Sequence, residues 1–201
     1  TMVESSEPRW LVLDGYEDEP AAFGVPPYVG FHVRYVCGVM ESAGLNYEYM
    51  TVDRYRQALK TEPESIARRL NTCIGVVCIA GAVVPGKYLR GTPISLKETQ
   101  ALIRSLPQGT PALLGGWAIR GWKQQGWTPL RPNLFLALQD TDATLHHFLE
   151  RGEWKHQRRT PEQWTKWAQA GAASKAVTDH PDLGTEHRAG PLTYEVEVYQ
   201  G

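Results

Sequence analysis

No apolar run in these 201 residues approaches the roughly 18 that cross a membrane as a helix, so a spanning helix is excluded. Cysteine is scarce. Cys37, Cys73 and Cys78 are too few for a disulfide framework and read as small buried apolar residues. Cys73 and Cys78 lie an odd number of residues apart, so they are expected on opposite faces of one strand. Charge of one sign is also lacking: 21 Lys and Arg against 22 Asp and Glu leave a net −1. Such a balance supplies no field for nucleic acid or anionic lipid, and any anion site has to be local. The phosphate fingerprints are missing as well. No G-x-G-x-x-G follows the first apolar run and no G-x-x-x-x-G-K-[ST] occurs anywhere, against a dinucleotide or P-loop enzyme. His146 and His147 are helix neighbours pointing different ways, a poor metal pair. His32, His156, His180 and His187 have no partner at readable spacing and read as solvated or locally hydrogen-bonded. No Ser-His-Asp or Cys-His set assembles. Residues 1–8 are polar and acidic with no apolar core behind a basic segment, so they read as a disordered or tag-derived tail rather than a signal peptide, and the expected location is cytoplasmic.

What is present alternates between two periods. Arg9 to Asp14, Asn46 to Val52, Cys73 to Ala80, Pro111 to Leu114 and Asn133 to Leu138 are short apolar or alternating runs expected as strands. Between them, Phe31 to Ala43 carries apolar residues at helical spacing with Gly44 as its stop. Asp53 is expected to cap a helix through Leu59, and Thr61-Glu62-Pro63-Glu64 to form a capping box before Ile66 to Leu70. Ser95-Leu96-Lys97-Glu98 is a second capping box, for a helix to about Leu106. Trp117 to Gln125, then a helix capped by Asp140 or Thr141 and running to Leu149, complete the alternation. Strand and helix in turn predict an α/β fold: a doubly wound, Rossmann- or flavodoxin-like, mostly parallel five-stranded sheet over residues 9–150. Residues 151–201 read as a C-terminal appendage. It holds a charged, linker-like stretch, a short helix from Thr160 with Trp164 and Trp167, and a last alternating strand from Leu192 to Tyr199.

In an open parallel sheet, ligands sit beyond the carboxyl ends of the strands. The loop from Ala80 to Ser95 leaves such an end with Gly81, Gly86 and Gly91, two prolines, Lys87, Arg90 and Thr92, longer than the roughly 2–6 residues a connector needs. Lys87 and Arg90 could grip a phosphate or carboxylate, or stand solvated. Asp14 and Gly15, closing the first strand, offer either a hydroxyl acceptor or a turn. Gly115-Gly116 allows close approach to a bulky ligand or a tight turn into the next helix. The candidate ligand-binding set is therefore Asp14, Gly15, Gly81, Lys87, Arg90, Gly91, Thr92, Gly115 and Gly116, with no catalytic residue and no metal ligand.

Leu13-Asp14-Gly15-Tyr16-Glu17-Asp18-Glu19-Pro20, Gly24-Val25-Pro26-Pro27-Tyr28 and the Ala80 to Ser95 loop resemble the N-terminal part of a family of radical S-adenosylmethionine iron-sulfur proteins, the Fe-S oxidoreductases. Asp140-Thr141-Asp142-Ala143, Trp167-Ala168-Gln169-Ala170-Gly171-Ala172, His180-Pro181-Asp182 and the run Tyr194 to Gly201 also look like that pattern. In the family, the segment matching Glu195 to Gly201 precedes the first cysteine of the cluster motif and a catalytic barrel. The resemblance implies an accessory domain of a longer enzyme, with the 4Fe-4S cluster and S-adenosylmethionine belonging to the barrel, its expected partner. Related radical enzymes carry a cobalamin-binding domain here, so the resemblance implies cobalamin or substrate at the sheet's carboxyl edge. The D-x-H-x-x-G cobalamin motif is absent, because Tyr16 stands two residues after Asp14. Two other expectations stay open: a cofactor-free docking or substrate-recognition module built on Trp154, Trp164 and Trp167, and a domain for a small phosphate-bearing ligand. The last strand is expected to pair with a neighbouring molecule if it stands alone.

Overall fold

The computed structural model describes residues 7–17, 29–81, 92–129 and 131–178. Strands β1 (Trp10–Gly15), β2 (Tyr47–Thr51), β3 (Gly75–Ala80), β4 (Ala112–Gly115) and β5 (Leu134–Leu136) form one sheet in the order β2-β1-β3-β4-β5. Every neighbouring pair is parallel. The helices are α1 (Phe31–Ser42), α2 (Val52–Thr61), α3 (Pro63–Thr72), α4 (Leu96–Ser105), α5 (Trp117–Gln124), α6 (Thr141–Arg151), α7 (Pro161–Ala172) and α8 (Lys175–Thr178). This is the doubly wound α/β fold expected of the alternation, with flavodoxin-like strand order.

The period of two along each strand decides which layer each side chain joins. Leu11, Leu13, Val76, Cys78 and Leu114 face one core with Tyr55, Ile66, Leu102 and Ile119, under α2 to α5. Trp10, Val12, Val77, Ile79 and Leu113 face the other with Val36, Met40, Leu145 and Trp167, under α1, α6 and α7. All six residues of β1 and of β3 are buried, which is why both runs are nearly continuous in apolar character. Burying one such side chain contributes about 1.5–3 kcal/mol.

Several local expectations are corrected. Cys73 lies at the C-cap of α3, before β3 begins, so it shares a core with Cys78 and does not face away from it. The cap of α2 is Thr51, whose hydroxyl accepts the Arg54 N–H, while Asp53 sits inside the first turn. No capping box opens α3: the Thr61 hydroxyl donates back to the Gln57 carbonyl. Asp140 stands at the N-cap of α6 as expected, but its side chain makes no cap bond there, since its carboxylate accepts the backbone N–H of Arg159 at 2.8 Å. The Ser95–Glu98 box forms as read, and Gly44 takes the left-handed φ of 63° that ends the turn after α1.

The appendage is docked as far as it is described. α7 opens with a box between Thr160 and Gln163 and crosses α1 so closely that glycines are needed on both helices. A Cβ on Gly38 would run into the Trp167 carbonyl, and one on Gly171 into that of Arg34. Trp154 stacks on Phe148 at 3.8 Å, Trp164 donates its indole N–H to the Tyr35 hydroxyl at 2.7 Å, and Trp167 is buried. Arg159 forms a two-bond ion pair with Asp142 at 3.0 and 3.1 Å, both side chains almost wholly buried. The strand expected at Leu192 to Tyr199, and any self-association through it, lies outside the described residues, as do His180 and His187. Among the described residues no helix is long and apolar enough to cross a membrane.

Candidate functional site

The strand order reverses between β1 and β3: the chain steps out from β1 to β2, then returns past β1 to β3, β4 and β5. Doubly wound folds take their ligands on the carboxyl rim beside such a point. Asp14, Gly15, Gly81, Thr92, Gly115 and Gly116 all fall on this rim, as expected. Lys87, Arg90 and Gly91 lie outside the described residues.

The rim residues expected to meet a ligand meet their own chain first. Asp14 is buried; one carboxylate oxygen accepts the Tyr16 N–H at 3.0 Å in an Asx turn and the other accepts the Tyr49 hydroxyl at 2.9 Å. The turn role is the one realised. A Cβ on Gly81 would strike the Tyr16 carbonyl, and one on Gly115 the Thr141 side chain. Gly116 has a φ of +98°, open only to glycine at low cost, and abuts the Ala80 carbonyl. Gly15 is filled against Ile94 and the Ile79 carbonyl. These glycines draw the exits of β1, β3 and β4 together. Replacing Tyr49 by Phe should therefore remove one hydrogen bond from the buried Asp14 carboxylate and cost about 1–3 kcal/mol, read as a lower thermal midpoint.

Three side chains outside the candidate ligand-binding set complete the rim: Glu17, Trp117 and His32, the last of which reads in the sequence as solvated or locally hydrogen-bonded. Glu17, just past β1, is 4% exposed, and its carboxylate contacts Nδ1 of His32, in the first turn of α1. The imidazole lies between Phe31, at 4.2 Å, and Trp117, at 5.9 Å between ring centres. Trp117 follows Gly116 at the start of α5 and is 54% exposed, the most exposed large apolar side chain among the described residues. Its place right after a glycine pair at a strand's end was a readable signal. The Glu17–His32 contact was not, since fifteen residues separate the two. Next to them, Tyr16 holds a positive φ of 60°, a strained value for a side chain of this size. It is kept there by the Asp14 turn and by donating its hydroxyl to Asp53 at 3.1 Å. Strain of this kind costs about 1–3 kcal/mol and gathers at functional sites.

A polar network beside the rim ties α2 to α4 and to the residues just before it. Asp53 and Glu98 both bind the Arg56 guanidinium, at 2.9 and 2.7 Å, which also donates to the carbonyls of Thr92 and Pro93. Thr92 thus enters the rim through its carbonyl. Hydrogen bonding from Arg56 holds the Glu98 carboxyl down at about 2, below its ordinary 4.5. A depressed carboxyl stabilises the fold above its unfolded value, and that contribution fades as pH falls from about 4.5 through about 2. Acid titration of Arg56→Ala should lack this component; since Glu98 is partly exposed, the difference is small. Among the described residues no group of three or more His, Cys, Asp or Glu is placed to hold a metal ion.

Fold and rim together define a doubly wound α/β domain with an aromatic, carboxylate-backed imidazole at its topological switch point. No family model matches the chain, and no solved structure matches it. An uncharacterised protein of Methanocaldococcus jannaschii is 30% identical over 203 residues, covering 96% of this chain and 35% of the relative. An uncharacterised protein of Archaeoglobus fulgidus is 44% identical over 87 residues, covering 43% of this chain and 16% of the relative. The chain therefore spans well under two thirds of either relative.

Proposed function

We propose that this chain is the ligand-binding accessory domain of a longer radical S-adenosylmethionine iron-sulfur oxidoreductase, presenting a small molecule from the carboxyl rim between β1 and β3. The observation that carries the rim assignment is the convergence of Glu17, His32 and exposed Trp117 on the switch point beside the strained Tyr16. The larger assembly rests on the sequence resemblance and accords with a relative of which this chain spans 35%.

Cobalamin, which the resemblance implies, does not suit the described residues. Tyr16 occupies the place of a cobalt-ligating histidine with its hydroxyl engaged by Asp53, and Gly15, Gly81, Gly115 and Gly116 back onto the domain's own atoms instead of leaving a face open for a corrin. The substrate is the better occupant. The tryptophans behind the docking alternative pack inward, which also favours the rim.

Anaerobic purification of the protein extended to the length of its relatives tests the assembly. An iron-sulfur chromophore and reductive cleavage of S-adenosylmethionine are expected, and their absence overturns it. Hydroxocobalamin added to the 201-residue chain should elute separately on gel filtration. Co-elution with a shifted corrin spectrum overturns the preference for substrate.

A further inference from the structure

The rim pairs a buried carboxylate with an imidazole that reaches the surface. Glu17 has a side chain 3% exposed, whereas that of His32 is 19% exposed. The acid therefore sits behind the ring, fixing its orientation with Nδ1 turned inward. A carboxylate in this place also offsets the positive charge that arises when the imidazole takes up a proton, the division of labour found wherever an acid orients a histidine base. Trp117 stands edge-on to the same imidazole, with more than half of its surface open. A large exposed ring beside a polar group suits a flat ligand that is apolar on its face and polar at its edge.

Resting on the rim reading above, we propose that Glu17, His32 and Trp117 take a planar aromatic ligand bearing an ionisable hydroxyl, its ring against the indole and its hydroxyl proton passing to His32. In that step the ligand O–H bond breaks and an N–H bond forms on the imidazole. The electron pair stays on the ligand oxygen, and the imidazolium faces the Glu17 carboxylate. The step needs no other reactant and leaves the ligand as the more electron-rich phenolate or enolate. His32 is the proton acceptor and Glu17 a positioning residue.

4-Nitrophenol reports both parts, because it is flat, it quenches tryptophan fluorescence, and only its ionised form is yellow. At about pH 7, above the ordinary imidazole value of about 6.5 so that an ordinary imidazole starts neutral, saturable quenching is expected for the 201-residue chain, with a larger share of the probe yellow when bound than in solution. Trp117→Ala should weaken binding at least about tenfold. Glu17→Gln and His32→Gln should lose the yellow bound form and bind more weakly for that loss, because ionisation and affinity are reciprocally coupled. His32→Gln, at a half-buried position that tolerates a polar side chain better than the buried Glu17, keeps the test decisive if Glu17→Gln fails to fold. Absence of quenching in the folded parent, unchanged affinity in Trp117→Ala, or a yellow bound form that survives both glutamine variants overturns the proposal. Failure here leaves the iron-sulfur measurement on the longer protein unaffected, so the two readings fall separately.

Discussion

Replacing Arg159 by alanine is expected to lower the thermal midpoint by roughly 6–20 °C, from a loss of about 3–5 kcal/mol. The guanidinium meets both oxygens of Asp142 within 3.1 Å and lies over the Tyr35 ring, 4.8 Å from its centre. Neither partner of the pair reaches water to any useful extent, at 4% and 2% exposure. Removing the cation therefore leaves a charge that water cannot solvate, and that desolvation, more than any lost attraction, makes the effect large. The pH dependence carries the proof. Burial already pushes the Asp142 carboxyl above its ordinary 3.8 despite Arg159, and without the arginine it rises further. A raised carboxyl contributes its stability in the protonated form, below the unfolded value, and loses it as pH climbs through the folded value. The gap between variant and parent should thus be narrow near pH 4 and wide near pH 7. An equal gap at both would contradict the buried-pair account.

Gly38→Val should be comparably damaging, at or beyond the upper end of the about 1–3 kcal/mol usual for overpacking. The obstacle it meets is the Trp167 backbone, which cannot rotate aside as a side chain would. α7 would have to lift off α1, exposing Trp167, so a red shift of tryptophan emission should accompany the lower midpoint. Gly121→Ala is the control. A Cβ there meets nothing within 4 Å in the middle of α5, and the change should raise stability by about 0.5–1 kcal/mol. A Gly38 variant as stable as the parent would mean that the helices do not cross so closely.

What could be read from the chain was whatever is decided locally. β1 and β3 announce themselves because both faces of each strand are covered, leaving no polar side to confuse the period. The Ser95–Glu98 box was legible because both halves lie within one turn. The side chain of Asp140 misled because its acceptors were claimed by Arg159, 19 residues on, in a stretch whose charges suggested only a solvated linker. The same distance problem governs the site. The rim's position followed from strand order, but the glycines there serve the contact of one strand exit with the next, which no single segment reveals. Glu17 and His32, fifteen residues apart, are brought into contact only in the folded chain. Trp117 is the exception, an aromatic residue behind a glycine pair at a strand end, visible to a reader asking what that pair presents to the rim.

Two places compete for the ligand. One is the carboxyl rim; the other is a cavity of about 330 Å³ at the opposite edge, lined by Val39, His146, Glu150, Lys166 and Trp167. Amide chemical-shift mapping of the isotopically labelled chain during a 4-nitrophenol titration distinguishes them directly. Shifts concentrated on Tyr16, Glu17, His32, Gly116 and Trp117 are the predicted result, and shifts centred on His146, Glu150 and Trp167 would contradict it.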